Sequence, residues 1–374
     1  MRKIVRLEDL LEELQEIEDL REQWKVKHKL SDVIAICLFA TLARCDEVKE
    51  IFYWAEANEK TIREFLELPN GIPGYDTIRR VLALVEPTVL DGFVQKWNEL
   101  MQNGETEKLS KILAIDGKTQ RGNATTEQKP NHIVNAVDEN GICFGQEVVD
   151  EKTNEITAIP KLLKRLNVKD HIITIDAMGT QTEIAKLIIN KGADYVLGLK
   201  GNQGTLQKDV KLYFDDKDLL GKCNYTTKTE KARGGIEKRE YWVTTDVSWL
   251  SKLNNWAELK SIGMTRNTIS KNGKTTVDDR LFISSLSDGN AETFARAVRG
   301  HWVVESFHWH LDVTFREDNC QVLNKRAALN LNILRKFAIA ILKNVEMGKR
   351  DSMKTKRFKV MLNPIKWLNE LLSM

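Results

Sequence analysis

Apolar residues recur every three or four positions along the first hundred or so residues of the chain, which is the spacing of helices with one buried face. Leu7, Leu10, Leu11, Leu14 and Ile17 line one side of a first helix. Ser31 precedes a denser apolar run through Val33, Ile34, Ile36, Cys37, Leu38 and Leu42. After Pro73-Gly74, Asp76 or Thr77 can start a helix with Ile78, Val81, Leu82 and Val85 inward, and Pro87 suits the first turn of the next. Residues 1–108 are therefore expected to form a helical amino-terminal domain.

The pattern changes after the loop Gln102-Asn103-Gly104-Glu105. Ile112-Leu113-Ala114-Ile115 is a short apolar run ending at Asp116, and Ile172-Ile173-Thr174-Ile175 is a second ending at Asp176. Between them, His132 to Val137 and Ile142 to Val149 flank Asp138-Glu139-Asn140-Gly141, whose Asn-Gly pair signals a hairpin. A helix with Pro160 in its first turn and Ile159, Leu162, Leu163 and Leu166 on one side leads into the second acid-ending run. Thr180 and Glu183 have capping-box spacing ahead of a helix bearing Ile184, Leu187 and Ile188, Gly192 ends it, and Asp194 to Leu199 returns as a strand. An antiparallel start followed by a βαβ unit predicts a mixed α/β sheet, and no Gly-x-Gly-x-x-Gly loop follows the first strand.

Residues 109–201 are read as the first part of this core and 202–289 as a mainly β insertion, with strands at Tyr241 to Val247 and Leu281 to Ser285 and a turn at Asn272-Gly273. Residues 290–345 complete the core through a long helix, Ala291 to Val313, and another from Ala327 to Leu342 that covers the sheet. Residues 346–374 form a basic tail.

Composition narrows the class. A chain of 374 residues with 42% hydrophobic content can bury a large core. It has no membrane-length apolar stretch, and its start runs into an acidic helix, so a cytoplasmic protein is expected. Cys37, Cys45, Cys143, Cys223 and Cys320 are scattered without a Cys-x-x-Cys pair, which argues against a zinc ribbon or a disulfide framework. The net charge of +3 conceals an acidic stretch from Glu8 to Glu22 and a basic one from Lys343 to Lys366. Within the latter, Lys349, Arg350, Lys354, Lys356, Arg357 and Lys359 would suit nucleic-acid phosphates or a solvated surface equally well.

The candidate chemistry lies in three acids. Asp116 and Asp176 end buried strands, where ligands of open sheets bind, and Glu305 lies on the late helix. Three such carboxylates suit a hard divalent cation. His301, Glu305, His308 and Asp312 also share one helix face, so His301, Glu305 and His308 offer a competing zinc-type set, although the His-x-x-x-His pair of zinc-protease helices is missing. Each acid also has a plain reading, as a turn, a cap or a solvated helix residue.

Several segments carry a resemblance. AIDGKTQRGN (114–123), KTNEITAIPKLL (152–163), TIDAMGTQ (174–181), DYVLGLKGNQG (194–204) and HWVVESFHWHLDV (301–313) resemble the H-repeat-associated insertion-sequence transposases, and WKVKHKLSDV (24–33) and NGIPGYDTIRRV (70–81) resemble that family's associated helical domain. The resemblance implies a ribonuclease-H-like mixed sheet with flanking helices and an Asp-Asp-Glu site at Asp116, Asp176 and Glu305. It further implies two Mg2+ (or Mn2+) ions bridged by Asp116, strand cleavage at insertion-sequence ends, and strand transfer into target DNA by a homodimer bridging two ends. Lys118, Arg121, Lys200, Arg299 and His301 are the expected DNA contacts, the amino-terminal domain would read DNA ends or form dimer contacts, and the protein would associate with the nucleoid. The alternative is a catalytically inactive, transposase-derived DNA-binding or regulatory protein.

The chain departs from the wider group's Tyr-x-x-Arg-x-x-x-Glu-x-x-x-x-x-x-Lys signature, with Val298, His301 and Asp312 at its Tyr, Arg and Lys positions. Ser306 replaces an expected Asn, and Arg233-Gly234-Gly235-Ile236-Glu237 replaces a His-Gly-Arg-Ile-Glu pattern.

Overall fold

The structure is a computed structural model that describes residues 7–102, 111–150, 153–232 and 234–371. The 108/109 boundary, most of the preceding linker, Lys152 and Arg233 lie outside the described residues.

The amino-terminal region is helical as its periodicity predicts: α1 (Leu7–Gln15), α2 (Leu30–Leu42), α3 (Val48–Ala57), α4 (Glu59–Ile62), α5 (Tyr75–Leu84) and α6 (Pro87–Gln102). Every residue of α2 is buried, the outcome for a helix apolar on all sides, and Ser31 lies inside it instead of before it. The next start is also one residue early, because Gly74 takes the cap position and Tyr75 begins α5. Pro87 opens α6 as expected.

The strands β1 (Lys111–Gln120), β2 (Asn131–Asp138), β3 (Cys143–Val148), β4 (His171–Ile175), β5 (Asp194–Leu199), β6 (Asn224–Ala232), β7 (Gly235–Thr244), β8 (Ser261–Lys271) and β9 (Lys274–Ser284) form one nine-stranded sheet in the order β3-β2-β1-β4-β5-β9-β8-β7-β6. β1, β4 and β5 run parallel, whereas β1-β2-β3 and β5-β9-β8-β7-β6 pair antiparallel. This is the mixed α/β fold predicted from the strand and helix order.

Segment 202–289 supplies helices α9 (Gly204–Asp215) and α10 (Lys217–Leu220) and then β6–β9, which extend the same sheet through the β5–β9 pairing. Its strands are longer than their apolar stretches predict. Where the hairpins project beyond the core both faces are wet, and cross-strand pairs such as Arg266–Asp279 (2.7 Å) replace the alternation that would reveal them. Asn272-Gly273 makes the predicted turn with positive φ at both residues.

Alternation along β1 assigns the two faces of the sheet. Leu113 and Ile115 pack with α7 (Glu155–Arg165), α8 (Thr182–Asn190) and α9, while Ile112 packs under α11 (Ala291–Trp309) and Ala114 joins the cluster around α12 (Lys325–Asn344). α12 lies between the sheet and α2, α5 and α6, so one continuous core joins the helical region to the sheet. α11 continues as a π-helical turn, His310–Thr314, which follows the path predicted to Val313.

Two further local expectations, at α7 and α8, also fail. α7 begins at Glu155, which places Pro160 inside the helix, and the acidic first residue suits the helix dipole. α8 begins at Thr182, so no Thr180/Glu183 capping box forms. Thr180 instead donates its hydroxyl to the carbonyls of Asp176 (3.1 Å) and Gly198 (2.6 Å), pinning the loop after β4.

The basic carboxyl-terminal segment is a folded pair of helices, α13 (Met353–Leu362) and α14 (Pro364–Leu371). Arg357 is buried against Asp46 and the carbonyls of Thr41 and Thr314, Lys356 donates to the carbonyls of Leu342 and Val345, and Lys359 pairs with Asp351. Those three cations hold the fold together and are not free for phosphates, unlike the exposed Lys349, Arg350 and Lys354. No described helix is long and apolar enough to cross a membrane.

α11 approaches β1 closely at Gly300, where an added Cβ would lie 2.6 Å from Ile112 Cγ2. A Gly300→Val substitution is expected to wedge this contact apart and lower stability by about 1–3 kcal/mol, read as a lower urea midpoint.

Candidate active site

The position of the site follows from one strand register. β1 and β4 pair in parallel from Lys111↔His171 to Ile115↔Ile175, so the next residues, Asp116 and Asp176, stand side by side at the carboxyl end of neighbouring strands about 4.8 Å apart. β4 stops at Ile175, but β1 does not end at its acid as predicted. It runs on to Gln120 paired only with β2, because Thr119↔His132 and Gln120↔Asn131 continue that ladder. The sheet therefore opens between β1 and β4 at the level of the two aspartates. Asp176 Oδ1 accepts hydrogen bonds from the backbone N–H groups of Met178 (3.0 Å) and Gly179 (3.3 Å), which orient it as the chain turns away.

Glu305 approaches from α11, which packs across β1, β2, β4 and β5. His301 Nδ1 lies 3.3 Å from Thr174 Oγ1 on β4. His308 Nε2 lies 3.2 Å from Asn135 Nδ2 on β2, with its Nδ1 3.7 Å from Asp116 Oδ2. Glu305, between these two histidines on the helix, is thus carried over the opening between β4 and β1.

Burial pushes the Asp116 carboxyl up to about 7; the Gly117 N–H opposes this, while the carboxylates of Glu155, Asp176 and Glu305 add to it. Partial desolvation also raises Glu305, with Arg280 pulling it down. Burial, with the charges of Lys118 and Lys336, lowers His308 to about 3, so its contact with Asp116 is that of a neutral ring. Burial likewise lowers His301, which disfavours the protonated phosphate-binding role expected of it.

The predicted DNA contacts fare differently. Lys118 is buried, its ammonium 2.6 Å from Asp312, 3.0 Å from Glu317 and 3.6 Å from Asp318, so it braces the π-helical turn and is not available to a phosphate. Arg121 is 80% exposed beside Asp318, and Lys200 and Arg299 are exposed. Lys200 lines a cavity of about 460 Å³ that also presents Asp176, Lys211, Arg280, His301 and Trp302.

Two features escaped the sequence reading. Arg280, on an exposed stretch of β9 with no periodic signal, lies 4.4 Å over the Trp302 ring and supplies positive charge to Glu305. Glu155 lies within a segment quoted for the resemblance, but nothing in its helical spacing singles it out.

Among the described residues, no three His, Cys, Asp or Glu side chains already stand together as a ready metal cluster, and this holds for His301, Glu305 and His308 as well. The donor chemistry at Asp116, Asp176 and Glu305 nevertheless fits a hard divalent cation, since all donors are carboxylate oxygens and their mutual repulsion at Asp116 is what such an ion relieves.

Native Asp116 keeps its proton to about pH 7, whereas an ordinary aspartate loses it near 3.8. Between those values the native state binds more protons than the unfolded state, so stability falls as pH rises and the full penalty is present above about pH 7. Asp116→Asn is expected to raise Tm in metal-free buffer at about pH 8, with the gain shrinking toward about pH 4. Lys118→Met removes one partner from a buried ion cluster and is expected to cost about 3–5 kcal/mol in denaturant unfolding, with no change in the salt dependence of DNA binding by the folded fraction.

Comparison with known proteins accords with this geometry. The family described as "Transposase DDE domain" matches residues 107–342, and the one described as "DDE_Tnp_1-associated" matches residues 11–98. The chain is 34% identical over 366 residues to "Putative transposase YncI" of Escherichia coli O157:H7, covering 96% of this chain and 93% of that protein. It is 34% identical over 353 residues to "H repeat-associated putative transposase YhhI" of Escherichia coli (strain K12), covering 92% of each. A shorter match, 32% over 77 residues and 21% of this chain, is to "Inactive transposase YbfQ" of the same strain. The expected fold is thus a ribonuclease-H-like core with flanking helices, and the chain belongs to the DDE-domain transposases of insertion sequences.

Proposed function

We propose that this transposase cleaves DNA at insertion-sequence ends and joins a freed 3′-hydroxyl to target DNA, with Asp116, Asp176 and Glu305 as its Asp-Asp-Glu site. The observation that carries the reading is the Ile115↔Ile175 register, which sets two aspartates side by side beneath a helix bearing the third acid. Asp116, Asp176 and Glu305 would hold Mg2+ or Mn2+, two ions in the family mechanism. Bound there, the ions supply activation of the attacking oxygen and stabilisation of the leaving one.

The chain's own groups account for the remaining tasks. The cavity beside Asp176 carries Lys200 and Lys211 together with Asp215, Asp278 and Asp279, and its Arg280 pairs with Asp278 (2.8 Å), so the cations offered to strand phosphates are Lys200 and Lys211 there and the exposed Arg121 and Arg299 outside it. Trp302 under Arg280 offers an aromatic wall. Neutral His301 and His308 pack α11 against β4 and β2 and so hold Glu305 in register over the opening. The amino-terminal helices would contact the DNA ends or a second copy, with the protein acting as a dimer on DNA in the cytoplasm at the nucleoid.

Nicking of a duplex carrying the element's ends is the direct test. Wild-type protein is expected to cut with Mg2+ or Mn2+ and not with EDTA. Asp116→Asn, Asp176→Asn and Glu305→Gln are each expected to lose on the order of 10³-fold in rate, the equivalent of several kcal/mol of transition-state stabilisation. Salt-sensitive DNA binding without cleavage by the wild type would favour the non-catalytic regulatory reading instead. Equal cutting by the three variants would move the chemistry elsewhere.

A further inference from the structure

A fourth carboxylate, Glu155, stands over Gly117, the residue that follows Asp116 on β1. Asp116 follows Ile112 and Ala114 on one face of β1, whereas Gly117 looks toward α7, whose first residue is Glu155. Glu155 is only 13% exposed, and its Oε1 lies 2.7 Å from His132 Nε2. His132 Nδ1 in turn lies 2.8 Å from Thr119 Oγ1. With the Thr119 hydroxyl donating to Nδ1, the ring carries its proton on Nε2 and donates it to Glu155. One carboxylate oxygen is then occupied and the other is left free, as in carboxylate–histidine pairs that orient metal ligands.

Gly117 gives an independent indication that this approach is built in. Its φ is not in the left-handed region, so the backbone does not require glycine, and glycine within a strand is destabilising. A Cβ at this position would lie 2.0 Å from Glu155 Oε1, 2.5 Å from its Cδ and 2.9 Å from His132 Nε2. The residue after Asp116 therefore lacks a side chain where the Glu155 carboxylate closes over β1. Glu155 and His132 also line a cavity of about 500 Å³ together with Lys129, Met178 and Lys325.

We infer that Glu155 is a fourth carboxylate of the active site, turned toward Asp116 by the Thr119–His132 chain, and that it ligates the divalent ion on the Asp116 side. The inference rests on the reading of Asp116 as a metal ligand, and the two are separable by experiment.

The test measures Mn2+ binding to the full-length protein by electron paramagnetic resonance, with no DNA and no turnover. Glu155→Gln keeps an oxygen to accept from His132 and is expected to weaken Mn2+ at least about 10-fold while the thermal unfolding of the metal-free protein stays close to wild type. Gly117→Ala, which displaces the carboxylate without removing it, is expected to weaken Mn2+ in the same direction and provides a second arm if Glu155→Gln folds poorly. Asp116→Asn is expected to abolish tight binding. Loss of binding in Asp116→Asn with wild-type affinity in both Glu155→Gln and Gly117→Ala would overturn this inference alone. Wild-type affinity in Asp116→Asn would overturn the underlying reading of the site and this inference with it.

Discussion

The parallel pairing of β1 with β4 is the constraint on which the rest of the site depends. Each strand is a short apolar run that is stable only when covered on both faces, and the register that buries both runs leaves Asp116 and Asp176 adjacent at the rim. A one-residue slip would exchange the two covered faces of one strand and carry its aspartate out of line with the other. The hydrophobic core thereby sets the spacing of two charged groups that contribute nothing to it.

The third acid is held by a different kind of interaction. Beyond Glu305, α11 passes into a π-helical turn whose Leu311, with Phe315 just after it, is buried in the core, and a set of charges braces it. Lys118 on β1 meets Asp312 and Glu317, Glu317 also accepts from Asn332 Nδ2 and faces Arg335, and Arg335 donates to the Asp46 carbonyl. Arg316, in a left-handed conformation, reaches Asp46 and Glu50, and Arg357 from α13 closes on Asp46 and Thr314. Buried ion pairs of this kind add little net stability, because desolvation offsets their attraction, but breaking one partner is costly, and so they select a single geometry. Here that geometry couples the amino-terminal helices, the sheet and the last helices to the helix that carries Glu305.

The site itself works against stability. Carboxylates gathered around Asp116 repel one another in a partly desolvated opening, and the neutral His308 beside it offers no charge compensation. Clustered like charge is unfavourable by itself and favourable around a cation, which is the electrostatic basis of the ion binding proposed above. The cavity beside Asp176 has walls of both signs, with Lys200, Lys211 and Arg280 standing among Asp215, Asp278 and Asp279.

Much of this was legible from the residues alone. Helical periodicity located α2, α5 and α6, the Asn-Gly pairs located two hairpins, and the acid-ended apolar runs together with the ordered family segments singled out Asp116, Asp176 and Glu305, because burial and turn chemistry leave local marks. What stayed hidden depends on partners distant along the chain. Lys118 reads as a free loop cation until β1 is seen to run past Asp116 and bury it against residues 312–318. Lys356, Arg357 and Lys359 read as a basic tail until α13 folds onto the helical region and the α12 end. The surroundings of Glu155 leave no mark in its own helix, since they come from a glycine on β1 and a histidine on β2. Local sequence determined which elements form and which faces are apolar; only the tertiary structure decided which charges meet, because electrostatic pairing acts through space and carries no period along the chain.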